Sequence, residues 1–590
     1  MANKTCVVEL TFKRIQQFLF AVPRLKAMLG ANALLGKTIR EDLVELVSKH
    51  SPFSINVNGV PNQCSTDPID DDPFALYKKG IISRDGGHFT AAFQSKKNAE
   101  AFINAAQQKV LKKLPSVMLE ASLRTESNGE FKAEKYTTAT HYGETPTRLP
   151  QLRVCEDTGT EIANHKREEE PEYISDQVKK LEDAGDDFKK GKTKDIIGQL
   201  LAKNKLPGIQ KNTEAENTKD NSNIPKDLKE LAGKSGYIAV IHADGNSIGI
   251  RRKLYAGNNE KPANFDDYIK NEVKNEQFFH AMRTTIRQCV LEALKKVFPE
   301  KEEIGKDDKL SYQLLMLGGD DLLLITQPQY AFPFIIEYSK QLTDKAIPYK
   351  GEETKPISIG AGIAIASHNI PFYHLHHLAE SLASSAKKLY RSQVAAQDET
   401  PEERSVVDWL VATTSWIDDI EISRQQDDLH ENDGVLYCTS AKPYFVLPDP
   451  KADDDVKNQD SFNLKTLWDS AKGIAEQYQK DEEEGVGNEE KLPRSKFKAL
   501  LETISHFDKK KSEEQYQTIS PPPDQFKNLF EEKEKEKQIK LWQEINGNHL
   551  TQYKDLMELI ELHFLGQQTK SSEHRSTNDQ DQDQQEENHG

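Results

Sequence analysis

Two short apolar runs meet in Gln313-Leu-Leu-Met-Leu-Gly-Gly-Asp-Asp-Leu-Leu-Leu-Ile325, where Gly318-Gly-Asp-Asp321 separates them. Short apolar runs joined by a four-residue turn of Gly and Asp are typical of a β-hairpin. The sequence therefore predicts two antiparallel strands with the carboxylates of Asp320 and Asp321 in the turn between them.

The segments around this hairpin complete an alternating order of strands and helices. Uninterrupted apolar runs predict strands at 237–243 and 357–365. Apolar residues at helical spacing predict helices at 278–298, 332–342 and 375–390. The resulting order is βαββαβ followed by one helix, which predicts a ferredoxin-like domain of the palm type.

This topology brings three carboxylates together. The first strand of such a sheet lies beside the third and runs antiparallel to it, so Asp244, at the end of the first strand, should lie near Asp320 and Asp321. Converging carboxylates repel one another unless they share divalent cations, and oxygen ligands favour Mg²⁺ or Mn²⁺. Two metals about 3.5–4 Å apart suit nucleotidyl transfer by in-line displacement.

Residues next to these carboxylates are candidates for nucleotide binding. Gly318 and Gly319 would let the hairpin backbone approach a nucleotide closely. The loop that begins Gly245-Asn246-Ser247 offers backbone N–H groups to a triphosphate. Lys387 or Lys388 would reach the phosphates from the last helix, and Lys387 is the primary candidate. Taken alone, the Gly-Gly-Asp-Asp stretch equally fits an ordinary hairpin turn, and Lys387 equally fits a solvated helix face.

The whole chain is predicted to be an α/β (α+β) protein of several units. Strand and helix patterns alternate over 1–150, whereas 151–236 is charge-dense and is predicted to be an exposed helical insertion and linker. The predicted units are a first α/β domain at 1–150, the insertion at 151–236, the palm domain at 237–454, a mostly helical C-terminal domain at 455–566 and a disordered tail at 567–590. The strongest helical patterns of the C-terminal domain lie at 464–478, 496–506 and 541–564.

Composition excludes several classes of protein. The chain has 590 residues, and 79 Lys and Arg against 96 Asp and Glu give a net charge of −17, which argues against a uniformly basic surface that coats duplex nucleic acid. A local basic groove remains compatible with this charge. With no signal peptide and no stretch typical of a membrane span, we expect a cytoplasmic protein without membrane contact. Five scattered cysteines without a CxxC pair indicate neither a disulfide framework nor a complete zinc site.

Three motifs carry a resemblance to a known family. Ala239-Val-Ile-His-Ala-Asp-Gly-Asn-Ser-Ile-Gly249, Leu317-Gly-Gly-Asp-Asp-Leu322 and Ile357-Ser-Ile-Gly-Ala-Gly-Ile-Ala-Ile365 resemble the palm-polymerase large subunit of type III CRISPR effector complexes. This family is related to GGDEF diguanylate cyclases and other nucleotide cyclases. Residues 14–18 and 24–35 look like its first, non-catalytic palm, 405–409 and 439–444 look like strands beyond its second palm, and 492–496 look like the start of its helical C-terminal domain.

The resemblance implies a function and its participants. It implies conversion of ATP to cyclic oligoadenylate second messengers in antiviral defence, with Asp244, Asp320 and Asp321 holding Mg²⁺ or Mn²⁺. The 3′-hydroxyl of one ATP would attack the α-phosphate of the next, and pyrophosphate would leave. In the family, target RNA bound to the effector complex switches this reaction on, so the implied partners are the other subunits, a guide RNA and a target RNA.

Three departures from the family pattern modify these expectations. No His-Asp dipeptide occurs in the chain, so the HD nuclease activity of many members is not expected. The family's zinc module is matched only by residues 155–160, with Cys155 present and Thr158 where a second cysteine would stand, so a zinc site is not expected there. The first motif reads Asp244-Gly-Asn246, where many members have Asp-Gly-Asp.

Two alternatives remain open, and one cluster is set aside. The chain would otherwise be a catalytically weak structural subunit of a CRISPR-type ribonucleoprotein, or a free-standing mono- or dinucleotide cyclase. The latter fits less well, because diguanylate cyclases usually end the hairpin motif with Glu-Phe, whereas Leu322 follows Asp321 here. His374, His376 and His377 are expected to be polar residues at a helix start rather than zinc ligands.

Overall fold

The structure is a computed structural model of the whole chain. The described residues are 5–56, 73–84, 86–114, 117–127, 130–139, 152–159, 161–167, 171–190, 196–203, 224–257, 262–298, 309–393, 403–412, 419–449, 462–483, 494–519, 524–530, 541–545 and 547–565. The predicted tail at 567–590 and the central part of the predicted linker, 204–223, lie outside these residues.

The N-terminal unit is built on a five-stranded antiparallel sheet of order β2-β3-β1-β4-β5. Its elements are β1 (Cys6–Lys13), α1 (Ile15–Leu19), α2 (Leu25–Lys37), a π-helical turn (Thr38–Asp42), α3 (Leu43–Lys49), α4 (Pro73–Lys78), β2 (Ile81–Ser83), β3 (His88–Phe93), α5 (Lys96–Lys113), β4 (Met118–Ser127) and β5 (Glu130–Ala139). Strands β1 to β4 have the ferredoxin-like order, which confirms the fold that the resemblance implied for this part of the chain.

The charged insertion is more closely packed than the sequence suggested. It contains β6 (His165–Lys166), β7 (Tyr173–Ile174), α6 (Asp176–Lys189), α7 (Ile196–Lys203) and α8 (Leu228–Ala232). Helix α6 crosses α2 with the two backbones in contact: a Cβ at Gly30 would lie 1.8 Å from the Leu181 carbonyl oxygen, and one at Gly185 would lie 2.1 Å from the Lys26 carbonyl oxygen. The expectation of a wholly exposed insertion was therefore wrong for α6, whose apolar stripe is buried.

The central unit confirms the predicted palm. It comprises β8 (Tyr237–Gly245), α9 (Ile248–Ala256), α10 (Phe265–Val297), β9 (Tyr312–Leu317), β10 (Leu322–Thr326), α11 (Pro328–Thr343), β11 (Ala346–Lys350), β12 (Glu353–Pro356), β13 (Ile359–Ser367), α12 (Phe372–Gln393) and β14 (Val406–Ala412). With the edge strand β17 (Tyr444–Phe445), the sheet order is β17-β14-β13-β8-β10-β9, and β8 is antiparallel to both β10 and β13. Helix α9 and the β11–β12 hairpin are additions that the sequence reading did not include.

The two faces of this sheet are covered by different helices. Ala239, Ile241 and Ala243 of β8 belong to the core formed with α10 and α11. Ile238 and Val240 belong to the core formed with α12 and with α2 of the N-terminal unit. Alternating residues of β8 therefore face alternate layers. Asp244 shares the parity of the second set, which places it on the α12 side of the sheet.

The C-terminal part combines helices with a small sheet. It follows α13 (Ile420–Asp427), β15 (Leu429–Asn432), β16 (Val435–Cys438) and β17 (Tyr444–Phe445), and consists of α14 (Leu464–Glu483), α15 (Arg494–Ser505), α16 (Lys509–Tyr516), α17 (Asp524–Phe530), β18 (Gln543–Ile545), β19 (Asn548–Leu550) and a helix at 553–565. Strands β15, β16, β19 and β18 form one sheet. A single helix was expected over 541–564, and this was wrong at its start, where Gly547, with a φ of +81°, turns the chain between two strands.

A buried carboxylate attaches the last helix to the palm. Asp555 is fully buried and accepts hydrogen bonds from the Ser440 hydroxyl, the Ala441 N–H and the Tyr444 hydroxyl, each at 2.7 Å. These donors surround the start of β17, at the edge of the palm sheet.

Among the described residues, no helix combines the length and the apolar character that a membrane crossing requires.

Candidate active site

The ends of β8 and β10 bring the three predicted carboxylates together. In the antiparallel register Leu322 is opposite Ala243, so the turn before β10 lies beside the residue after Ala243. Carboxylate oxygens of Asp244, Asp320 and Asp321 lie within 4.8 Å of one another. The turn is closed by a 2.9 Å hydrogen bond from the Gly318 N–H to the Asp321 carbonyl oxygen. The convergence expected from the strand order is thus present.

Crowding of these carboxylates changes their acidity. Burial, and then the negative charge of Asp244, raise the pKa of Asp320 to about 6. Burial, and then the charges of Asp244 and Asp320, raise the pKa of Asp321 to about 7. Three such groups cannot all ionise close together at neutral pH without a compensating positive charge. The donor set and its repulsion therefore fit hard divalent cations, which bind oxygen ligands.

One cation within the chain already approaches this cluster. The Lys387 ammonium contacts a carboxylate oxygen of Asp244 and donates a 3.2 Å hydrogen bond to the Gly245 carbonyl oxygen. Its positive charge lowers the pKa values of Asp320 and Asp321, against the larger effects that raise them. Lys388, the other candidate, points to solvent and contacts Glu421. The structure therefore places Lys387, and not Lys388, at the carboxylates.

A glycine in the neighbouring strand makes room for Lys387. Gly360 of β13 is opposite Asp244 in the sheet register. A Cβ at Gly360 would lie 2.4 Å from Cγ of Lys387 and 3.3 Å from Oδ1 of Asn246. Any larger residue at position 360 would therefore collide with the aliphatic part of Lys387 where that side chain crosses the strand. The sequence reading did not single out Gly360, although a glycine inside a strand often marks a close approach of this kind.

Asn246 is held by a chain of polar side chains from distant parts of the sequence. It is 1% exposed, and its Nδ2 donates a 3.0 Å hydrogen bond to the Ser358 hydroxyl. Ser358 in turn donates a 2.7 Å hydrogen bond to Glu403, which also accepts a 2.9 Å hydrogen bond from the Tyr390 hydroxyl. Oδ1 of Asn246 is buried and has no hydrogen-bond partner among the residues that the structure describes. Tyr390 and Glu403 lie outside the three motifs quoted from the sequence, and Ser358, although within the motif at 357–365, was not singled out there.

The predicted phosphate loop is shorter than expected. The Asn246 N–H donates a 2.9 Å hydrogen bond to the Ser358 carbonyl oxygen, so it is not available to a ligand. Ser247 has a φ of +55°, and helix α9 begins at the next residue. The first N–H groups of a helix have no partner within it and attract anions. The candidate anion donors are therefore the N–H groups of Ile248 and Gly249 rather than that of Asn246.

The other residues that the sequence singled out lie among packing contacts and ion pairs. A Cβ at Gly319 would lie 3.3 Å from Cε of Met282, and one at Gly318 would lie no closer than 3.8 Å to another atom.

Cys155, of the shortened zinc motif, is a buried free cysteine. Beside it, the Arg167 guanidinium contacts Asp157 and donates to Glu182, which ties this region together by charge pairing. His374 and His377 are exposed, whereas His376 is buried.

Known proteins are similar to this chain at two levels, a family of domains and individual solved structures. Residues 237–395 match the family described as Cas10/Cmr2, second palm domain. The chain is similar to a crystal structure of the Csm1-Csm4 cassette in complex with AMPPNP, with 12% identity over 82% of this chain and 64% of that one and a TM-score of 0.37. It is also similar to the Csm1-Csm4 subcomplex of the type III-A CRISPR-Csm interference complex, with 12% identity over 86% of this chain and 65% of that one and a TM-score of 0.35.

Two further findings concern the extent of these similarities. This chain spans somewhat less than two thirds of the length of both solved chains. No curated protein matches the sequence.

Proposed function

We propose, from the match of residues 237–395 to the Cas10/Cmr2 second palm domain, that the chain is a metal-dependent nucleotidyltransferase that joins ATP molecules into cyclic oligoadenylates. The product would act as a second messenger in antiviral defence of the type III CRISPR kind. The proposal rests above all on the convergence of Asp244, Asp320 and Asp321 at one edge of the palm sheet.

The carboxylates of Asp244, Asp320 and Asp321 would hold Mg²⁺ or Mn²⁺. When bound, the cations stabilise the charge that develops on the attacking and leaving oxygens of an in-line phosphoryl displacement. The raised pKa values of Asp320 and Asp321 are evidence that the protein keeps acidic groups close together at a cost in stability. Such a cost is typical of functional sites rather than of ordinary hairpin turns.

Other residues of the chain would bind and orient the nucleotide. The N–H groups of Ile248 and Gly249, at the start of α9, would donate hydrogen bonds to a phosphate oxygen. Lys387 adds a positive charge beside Asp244 and would exchange this contact for a phosphate when a nucleotide enters. The hydrogen bonds from Asn246 to Ser358 hold the short loop in place, which fixes the distance between helix start and carboxylates.

The partners of the chain follow from the same family. We propose that it works as the large subunit of an RNA-guided effector complex, with ATP as substrate and with target RNA, paired to a guide RNA, as activator. A free-standing cyclase and an inactive structural subunit are the competing possibilities, and one experiment distinguishes all three.

The test is product analysis with a matched control. The full chain is incubated with Mg²⁺ or Mn²⁺ and each nucleoside triphosphate, first alone and then with the RNA and proteins that co-purify with it, and products are identified by mass spectrometry. Cyclic oligoadenylate and pyrophosphate are expected with ATP. Asp320→Ala/Asp321→Ala should reduce the rate about 100-fold or more, because metal stabilisation of the transition state is worth several kcal/mol. Lys388→Ala should not change the rate.

Each outcome has a definite meaning. Product from the chain alone supports a free-standing cyclase, whereas product only with co-purified RNA and proteins supports the effector subunit. Absence of any product from the intact complex in the presence of target RNA would overturn the proposal and leave a structural role.

A further inference from the structure

A second group of potential metal ligands lies on the α12 side of the palm sheet, beside the carboxylates but separate from them. It consists of His242 on β8 and of His376 and Glu380 on α12. One potential ligand atom from each residue lies within 4.8 Å of the others. The ligand atoms of a tetrahedral zinc site lie about 3.4 Å apart. Side-chain rotations that move these three atoms by about 1 Å would therefore bring them to the separation that zinc requires.

Local geometry explains why these three side chains meet. His376 and Glu380 are four residues apart on one helix, which places them on the same face. His242 has the same parity on β8 as Ile238 and Val240, which face α12. The imidazole rings of His242 and His376 meet edge to face, with their centroids 5.8 Å apart. Nδ1 of His376 lies 3.7 Å from the Glu380 carboxylate.

The two histidines carry unsatisfied nitrogen atoms inside the protein. His242 is 8% exposed and His376 is 3% exposed. Within the part of the chain that the structure describes, Nδ1 of His242 and Nε2 of His376 are buried with no hydrogen-bond partner. Buried polar atoms almost always have a partner, and a group without one calls for an explanation such as an ion. The nitrogen of His376 that lies near the half-buried Glu380 carboxylate is Nδ1. Either imidazole nitrogen can bind a metal, so both rings have a nitrogen to offer to an ion that enters from solvent beside Glu380.

Residues of the N-terminal unit complete the surroundings of this group. The Gln16 side chain, on α1, donates a 2.7 Å hydrogen bond from Nε2 to Oε1 of Glu380. The Phe20 ring lies with its centroid 4.5 Å from that of His376. A hydrogen bond to a ligating carboxylate and an apolar wall beside a ligating imidazole are the usual outer surroundings of a protein metal ion. Both come from a different unit of the chain than the ligands.

We propose that His242, His376 and Glu380 bind one first-row transition-metal ion, with Zn²⁺ the best match, at the junction of the N-terminal unit and the palm. Two imidazoles and one carboxylate are a ligand set that zinc uses with a fourth position open to water. The ion joins β8 to α12, and Gln16 holds Glu380 in the ligating position. The site does not depend on the proposed nucleotidyl transfer.

Cobalt provides a direct probe, because Co²⁺ bound by imidazole in a site of low coordination number absorbs visible light far more strongly than octahedral Co²⁺ bound by oxygen. The full chain is freed of metals with a chelator and titrated with Co²⁺, and bound zinc in the untreated protein is measured by elemental analysis. Asp320→Asn/Asp321→Asn is included so that ions at the carboxylates do not contribute. We expect one equivalent of strongly absorbing Co²⁺ in this variant as in the original chain, displaced by Zn²⁺.

Variants of the ligands and of their neighbour complete the test. Glu380→Gln and His376→Ala should weaken Co²⁺ binding by about tenfold or more, and Gln16→Ala should weaken it by about tenfold, as for other residues that orient a ligand. His377→Ala, an exposed histidine on the same helix, is the matched control and should bind as the original chain does. Because Glu380 is half-buried and contacts solvent, its variant remains informative if His376→Ala fails to fold.

Two results would overturn the proposal. One is the absence of strongly absorbing Co²⁺ in the folded Asp320→Asn/Asp321→Asn variant. The other is equal Co²⁺ binding by the original chain and Glu380→Gln. Neither result bears on product formation from ATP, so the two proposals fail separately.

Discussion

The Lys387 ammonium contacts the carboxylate of Asp244 across two elements of the palm, and it donates at the same time to the Gly245 carbonyl oxygen. The lysine comes from α12 and the aspartate from the end of β8. The contact places a positive charge of the chain at the position where three carboxylates converge. In the absence of a divalent cation, this lysine partly compensates their repulsion.

The first prediction concerns Lys387→Met and the pH dependence of Mn²⁺ binding. The lysine charge lowers the pKa values of Asp320 and Asp321, so its removal raises both and moves the rise of Mn²⁺ affinity to higher pH. At neutral pH the affinity should fall by less than about tenfold, because Lys387 contacts Asp244 and its charge is the last of the effects on the pKa values of Asp320 and Asp321. Above the pH range in which Asp320 and Asp321 titrate, Lys387→Met should bind Mn²⁺ more tightly than the original chain. The variant has no lysine to compete with the ion for Asp244. Calorimetric titration from pH 5.5 to 9 measures both regimes.

Lys388→Met is the control for this prediction. Lys388 is the next residue on the same helix, carries the same charge, and contacts Glu421 at the surface. It should leave the pH dependence of Mn²⁺ binding unchanged. Equal profiles for the two variants would show that Lys387 does not act on the carboxylates.

The second prediction concerns the pH dependence of stability without divalent cations. The folded chain retains protons on Asp320 and Asp321 up to about pH 6 and 7, whereas the unfolded chain releases them near pH 4. Because the folded state binds more protons between these limits, the free energy of unfolding falls as the pH rises from about 4 to 7. Urea unfolding in a chelating buffer should show this decline, and Asp320→Asn/Asp321→Asn should flatten it.

Adding Mg²⁺ at neutral pH should recover part of the lost stability. At ten times its dissociation constant the ion contributes about 1.4 kcal/mol, which corresponds to about 2–5 °C in the melting temperature of a domain of this size. The Asp320→Asn/Asp321→Asn variant should show no such gain. An equal gain in the variant would mean that Mg²⁺ binds elsewhere.

The third prediction compares two glycines of β13. In Gly360→Ala the new methyl group would lie 2.4 Å from Cγ of Lys387, so the lysine must take another rotamer and leave Asp244. Product formation and the pH dependence of Mn²⁺ binding should then follow those of Lys387→Met, and the loss of stability should be smaller than that of Gly362→Ala, where the contact is with backbone.

Gly362→Ala has the opposite expected effect. Its methyl group would lie 2.0 Å from the Ala379 carbonyl oxygen and 2.5 Å from the Ala383 backbone nitrogen, so helix α12 must move away from the sheet. Overpacking of this kind costs about 1–3 kcal/mol or more. Chemical unfolding distinguishes the two variants, and equal stability losses would contradict the assignment of Gly360 to the lysine path.

The fourth prediction concerns Asn246→Asp, which gives the first motif the Asp-Gly-Asp form seen in many members of the family. Ser358 has one hydroxyl hydrogen, and it is donated to Glu403. The new carboxylate cannot donate to Ser358 as the Asn246 amide does, so two acceptors face each other. In chelating buffer the variant should lose about 1–3 kcal/mol of stability.

Mn²⁺ should restore this loss, because the added carboxylate increases the affinity of the neighbouring metal site. Asn246→Ala serves as the control, since it removes the hydrogen bond without adding a charge and should gain nothing from Mn²⁺ beyond the original chain. If Asn246→Asp is as stable as the original chain in chelating buffer, Asn246 does not depend on Ser358.

Local patterns predicted some features well, because the information lies in neighbouring residues. The hairpin with Asp320 and Asp321 was evident from two apolar runs and a turn, and the order of strands and helices placed Asp244 beside it. Where a local signal was given too little weight, the prediction was wrong. Helix α6 has a clear apolar stripe within a charged segment, and Gly547 interrupts what was read as one helix.

By itself the sequence determined the palm topology and the three carboxylates, since strand period, helix period and turn chemistry are local properties and the strand order follows from them. Tertiary structure alone decided between Lys387 and Lys388, because adjacent residues on a helix point about 100° apart and only the rotation of α12 selects one of them. It also joined Asn246 to Ser358 and His242 to His376, residues more than 100 positions apart. No local pattern encodes such pairs, because they form only when separate elements pack on the same sheet.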